Sequence, residues 1–148
     1  MSLKQKLQDD LKQALRDHDN VRKSAIRLAL AAITNAEVEK RRELDDGEVL
    51  AILSREVKQR RESVEEFRKG GRADLVAQEE AELQVLMAYL PAQLSREEIA
   101  DRARQVIAEV GATSPAQMGE VMRRLMPTLR GQAEGRVVSE VVRELLSS

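Results

Sequence analysis

The chain reads as an all-α protein, an N-terminal bundle of about four helices followed by a small three-helix C-terminal domain. Two observations predict this. Apolar residues recur at three- and four-residue spacing along the chain, and no segment sustains the period-two alternation of a half-buried strand. Aromatic residues amount to one Phe and one Tyr among 148 residues. The core must therefore be built from Leu, Val, Ile, Ala and Met, which suits packed helices better than a sheet. A chain of this length buries roughly 68–70% of its unfolded surface, so a stable core needs no staples.

The first helix starts at Ser2, with Gln5 placed as in a capping box, and sets Leu3, Leu7, Leu11, Ala14 and Leu15 on one face. The polar run RDHDN breaks it, and Asp19 or Asn20 can cap the next. That second helix runs to about Arg42 on a stripe of Ile26, Ala29, Leu30 and Ile33. Asp45 with Glu48 marks the third start, followed by Val49, Ile52, Leu53, Val57, Val64 and Phe67, and Gly70–Gly71 ends it. A fourth helix spans about Ala73 to Tyr89, with Leu83, Leu86 and Met87 among its apolar positions, and Pro91 stops it.

The stretch LPAQLS is the expected boundary between domains at residues 1–90 and 91–148. Ser95 and Glu98 form a second capping box, opening a helix with Ile99, Ala103, Val106, Ile107 and Val110 that ends at Gly111. Ser114 is placed to cap the next, with Pro115 in its favoured first position and Met118, Val121, Met122 and Leu125 as the stripe. In the last segment the doublets Val137–Val138, Val141–Val142 and Leu145–Leu146 repeat every four residues, which fits a helix and not a strand.

With no cysteine, the chain can form neither a disulfide nor a thiolate zinc site and has no cysteine nucleophile. The N-terminus is charged from its fourth residue and lacks an apolar signal core, and the longest apolar run, Leu28 to Ile33, is too short for a membrane span. These features predict a soluble, cytoplasmic protein without membrane association. The net charge of −1 supplies no global field toward nucleic acid, so any basic site must be local.

Catalytic and metal signatures are missing. His18, the only histidine, has Asp17 and Asp19 beside it but sits in a polar break with no neighbouring nucleophile, and reads as an exposed turn residue. Glu79, Glu80 and Glu82 read as a solvated face, since a helical di-metal site would need Glu-x-x-His motifs that are absent. Glu56–Arg60 and Glu65–Lys69 have the i, i+4 spacing of exposed helix ion pairs. No phosphate loop, nucleophile elbow or zinc pattern occurs. The expectation is no catalytic activity of its own, no cofactor and no metal.

Two basic candidates remain. Arg22, Lys23 and Arg27 could meet Arg55, Lys58, Arg60 and Arg61 if the second and third helices are antiparallel neighbours. The second candidate is MRRLMPTLRGQAEGRVV, where Arg123, Arg124, Arg130 and Arg136 face a single acid, Glu134. Gly131 and Gly135 would let backbone amides approach a ligand beside a helix N-terminus, and amides, a positive dipole end and fork-shaped donors suit a backbone phosphate. Equally, Gly131 can be a helix C-cap and Gly135 a turn residue, with the arginines as surface solubilisers. Scarce aromatics argue against reading splayed single-stranded bases, which leaves a folded RNA's backbone as the target.

The same stretch carries a resemblance. MGEVMRRLMPTLRGQAEGRVVSEVV, preceded by LPAQLSREEI, resembles the YqeY-like proteins and the tail domain of the B subunit of the glutamine-dependent aminoacyl-tRNA amidotransferase (GatB). IRLALAAITNAEVEKRREL, LSREVKQRRES and GGRADLVAQEEAEL resemble the N-terminal part of the YqeY-like proteins, so the likeness covers nearly the whole chain. It implies two helical units. In the amidotransferase the matching tail helps hold the tRNA through its outer body while a separate domain performs catalysis.

The matching motif positions are Met118, Gly119, Met122, Met126, Pro127, Gly131, Ala133 and Gly135, with Arg130 and Arg136 at positions usually basic. Two departures weaken a phosphate grip: Gln132 stands where arginine is frequent, and Glu134 where aspartate, a better N-cap, is frequent. The expected function is a non-catalytic accessory protein that binds tRNA or structured RNA through the C-terminal domain. Its alternative is a helical adaptor docking an amidotransferase or synthetase component through Met118, Met122 and Met126. Those methionines can equally be core packing.

Overall fold

The computed structural model describes residues 1–148 and is all-helical, with seven α-helices, two short 3-10 segments and no strand. The chain forms two compact units, Met1–Leu90 and Pro91–Ser148.

The first unit contains α1 (Leu3–Arg16), α2 (Asn20–Lys40), α3 (Asp46–Lys69) and α4 (Ala73–Met87). Each start has a local cause. Ser2 Oγ accepts from Gln5 N–H, Asp19 from Arg22 N–H, and Asp45 and Glu48 close a full capping box, each such cap contributing about 1 kcal/mol. The expected reciprocal bond at α1 is missing, because the Gln5 amide reaches forward to Asp9 instead. The ends are less predictable. His18 (φ 55) and Arg41 (φ 57) are left-handed although neither is glycine. At His18 the turn is closed by Asp19 N–H to Ala14 C=O, 2.9 Å, a helix-terminating bond that accounts for the residue in its exposed turn. At Arg41 the left-handed turn ends α2 short of the expected Arg42, whose guanidinium grips both oxygens of Glu48 at 2.8 Å. α4 likewise stops at Met87, before Tyr89.

The four helices bury Leu7, Ile26, Ile33, Val49, Leu53 and Leu86 completely. Into this apolar assembly the structure inserts one buried ionic cluster. Arg60 on α3 donates to Glu82 at 2.7 Å and to Glu79 at 3.1 Å on α4, with Arg60 and Glu82 only 6% and 4% exposed. Glu82 is therefore not part of a solvated face, and Arg60 does not pair with Glu56. The cause is that α3 turns this side of itself toward α4. The Glu65–Lys69 pair is also replaced, since Glu65 binds Arg68 at 2.7 Å while Lys69 lies 3.9 Å from Glu66.

The second unit contains α5 (Arg96–Val110), α6 (Met118–Leu125) and α7 (Gly135–Leu146) around Ile99, Ala103, Val121, Leu125, Leu129, Val138 and Val142. The Ser95–Glu98 capping box forms, and Gly111 ends α5 at φ 74. Beyond it, Ser114 makes no side-chain cap. Pro115 opens a 3-10 turn, Pro115–Gln117, and the Gln117 side chain accepts from Thr113 N–H at 2.7 Å in place of the expected serine cap. A second 3-10 segment, Met126–Leu129, carries the chain past Pro127 and buries Leu129 completely.

Candidate nucleic-acid interface

The arginine-rich stretch lies in the second unit and splits into three pieces. Arg123 and Arg124 sit exposed on the last turn of α6, Arg130 follows the second 3-10 segment, and Arg136 is the second residue of α7. All four are exposed and none is in an ion pair, whereas Arg96 is bound by Glu140 and Glu144 and Arg104 by Asp101.

The two glycines have different roles. Gly131 adopts φ 73, where a side chain would be strained, so it is a conformational requirement of the turn. Gly135 has no positive φ and is the first helical residue of α7, not a turn residue. A Cβ at that position would meet Met126 Cε at 3.8 Å, an ordinary contact.

The carbonyl side of the turn is occupied by the protein. Gln93 Nε2 donates to Gly131 C=O at 2.6 Å, and Leu94 N–H donates to Gln132 C=O at 2.9 Å. The Gln132 amide donates to Ala92 C=O at 3.5 Å. The turn is thus pinned to the segment at 91–94, and Gln132 serves this anchoring where an arginine would have offered charge. Sequence reasoning missed this, because the partners are 38 and 40 residues apart.

The amide side is different. The first intrahelical bond of α7 runs from Val138 N–H to Glu134 C=O, which leaves the amides of Gly135, Arg136 and Val137 ahead of it. Glu134 occupies the N-cap without making a side-chain cap, as its length predicts. The helix start therefore presents three N–H groups and the positive end of its dipole, with Arg136 on its first turn.

Met118, Met122 and Met126 are half-buried and pack against the second unit's core, in keeping with core packing. The other basic candidate does not assemble. Arg60 is buried against α4, Arg61 Nη2 contacts Met87 Sδ at 3.6 Å, and Arg22 lines a pocket with residues of α1 and α4. Three of its seven members thus face elements other than a shared α2–α3 surface. No group of three or more His, Asp or Glu side chains is placed to hold a metal, and no helix is long and apolar enough to cross a membrane.

Comparison with known proteins gives a consistent picture. The YqeY family model, described as Yqey-like protein, matches residues 4–146. Among curated proteins, the chain is similar to "Altered inheritance of mitochondria protein 41, mitochondrial" from several fungi. Identity is 42% with the Eremothecium gossypii protein, over 74% of this chain and 62% of that one. It is 35% with the Kluyveromyces lactis protein, over 85% and 71%, and 31% with the Pyrenophora tritici-repentis protein, over 97% and 80%. The matched region is thus less than two thirds of the Eremothecium protein. These mitochondrial names overturn the cytoplasmic placement expected from the sequence. The expectation rested on the lack of an apolar signal core, and mitochondrial addresses, being amphipathic, have no such core to look for.

Proposed function

The chain belongs to the YqeY-like family, and on that premise we propose that it is a non-catalytic accessory protein that binds tRNA or another structured RNA. The contact is made by its second unit acting as a GatB-tail-like three-helix domain, which follows an N-terminal four-helix bundle in the chain. The observation that carries this reading is the set of exposed, unpaired arginines, Arg123, Arg124, Arg130 and Arg136, around the uncapped start of α7. Arginines not neutralised by a carboxylate are free to take phosphate oxygens in bidentate fashion, and the α7 amides add sequence-independent donors. Backbone contacts of this kind recognise the shape of a folded RNA and need no aromatic platform.

The test is equilibrium binding to folded bulk tRNA at two salt concentrations, comparing wild type with an Arg130→Ala/Arg136→Ala variant. Two lost phosphate contacts should flatten the dependence of log affinity on log salt by somewhat under about two units. Absence of binding by the wild type at low salt would exclude the RNA reading. Binding by the variant with an unchanged slope would move the site away from this turn.

A further inference from the structure

Where α1, the start of α2 and the end of α4 meet, Lys6, Asp10, Arg22, Val85, Ala88 and Tyr89 line an open pocket of about 380 Å³, within the size range of small-molecule sites. Its single carboxylate is already engaged, since the Tyr89 hydroxyl donates to Asp10 Oδ2 at 2.5 Å. Its two cations are not engaged by acids. Lys6 Nζ lies 5.6 Å from the Tyr89 ring centroid, within reach of a cation–π attraction, and Arg22 interacts with the same tyrosine. Neither forms an ion pair, although Arg42, Arg60, Arg68 and Arg72 of the same unit each bind a carboxylate. Two positive groups on two helices thus converge on a pocket with one negative group, leaving a net charge of +1. Val85, Ala88 and the face of the ring supply an apolar wall.

We propose that this pocket binds a small organic carboxylate, its head between Lys6 and Arg22 and its hydrocarbon body along Val85, Ala88 and the Tyr89 ring. A monoanion neutralises the pocket. A dianion would meet the Asp10 charge, and a cation would meet Lys6 and Arg22. The planar guanidinium fork of Arg22 matches a planar carboxylate. This site lies in the first unit and is independent of the RNA-binding reading.

Calorimetric titration of the full chain with hexanoate tests the proposal, with acetate and hexylammonium as parallel arms at fixed ionic strength. Tyr89 is the only tyrosine and there is no tryptophan, so tyrosine fluorescence reports whether binding occurs at this pocket. Saturable binding of hexanoate with a fluorescence change is expected, weaker binding of acetate, and none of hexylammonium. A Lys6→Met/Arg22→Met variant keeps the apolar stems while removing both charges, and should bind hexanoate about tenfold or more weakly with its thermal melt little changed. Three results would overturn the proposal: no saturable binding, equal binding by the variant, or a stronger response to hexylammonium.

Discussion

Truncating Glu82 to alanine would isolate the ion pair that fastens α3 to α4. Arg60 and Glu82 are 6% and 4% exposed and meet at 2.7 Å, while the second acceptor, Glu79, lies 3.1 Å from the same guanidinium nitrogen. Arg60 Nε is buried without a partner, so the guanidinium already has one unsatisfied donor and depends on these carboxylates. Removing one partner of a buried pair costs about 3–5 kcal/mol because a charge is left uncompensated. Glu79 stays in place, with a side chain 21% exposed to water, which puts the expected cost near the lower end, about 3 kcal/mol. For a chain of this size that is a fall in Tm of about 6–12 °C.

The assay is thermal and urea denaturation followed by circular dichroism. An Arg60→Met/Glu82→Leu variant serves as the companion, since it replaces both charges with apolar volume. It should lie within about 1 kcal/mol of wild type or be more stable. A Glu82→Ala cost below about 1 kcal/mol would refute the claim that the pair is desolvated. So would a double variant as unstable as the single one.

Two further outcomes follow from local geometry. Gly131→Ala should destabilise by about 1–2 kcal/mol in urea denaturation, because φ 73 is strained for a side chain. Gly135→Ala should be neutral or slightly stabilising, since the nearest atom to the new methyl is Met126 Cε at 3.8 Å. The Tyr89 hydroxyl is held protonated well above its usual value of 10.0, first by burial and then by its bond to Asp10. Its ultraviolet titration should therefore have a midpoint above pH 10, and Asp10→Asn should lower it. Because the native value is the raised one, this contribution to stability is complete below about pH 10 and declines as the pH climbs past it. A midpoint at 10 in the wild type would show that the tyrosine is neither buried nor bonded to Asp10.

Much of the candidate RNA site was legible in the residues. The excess of arginine, the C-cap reading of Gly131 and the poor cap at Glu134 are properties of single positions or of neighbours a few residues apart. The role of Gly135 was not legible, because glycine serves turns and helix starts alike and only the position of the first α7 hydrogen bond separates them. Gln132 was readable only as a missing charge. Its anchoring bond to Ala92 exists because the turn folds back on a segment 40 residues earlier.

The same division runs through the whole molecule. An all-helical chain, its seven helical stretches and starts such as Asp45–Glu48 and Ser95–Glu98 follow from the residues alone, since caps and apolar stripes act within about one turn of helix. Where the charges go depends on how the helices pack. Arg60 has an acid at helical spacing on its own helix, Glu56, yet it binds Glu79 and Glu82, 19 and 22 residues away. Tyr89 finds Asp10 across 79 residues. An exposed i, i+4 pair gains only about 0.2–0.5 kcal/mol, whereas a buried polar group left without a partner costs several times as much. The packing of α1, α2, α3 and α4 therefore chooses the partners, and local spacing does not.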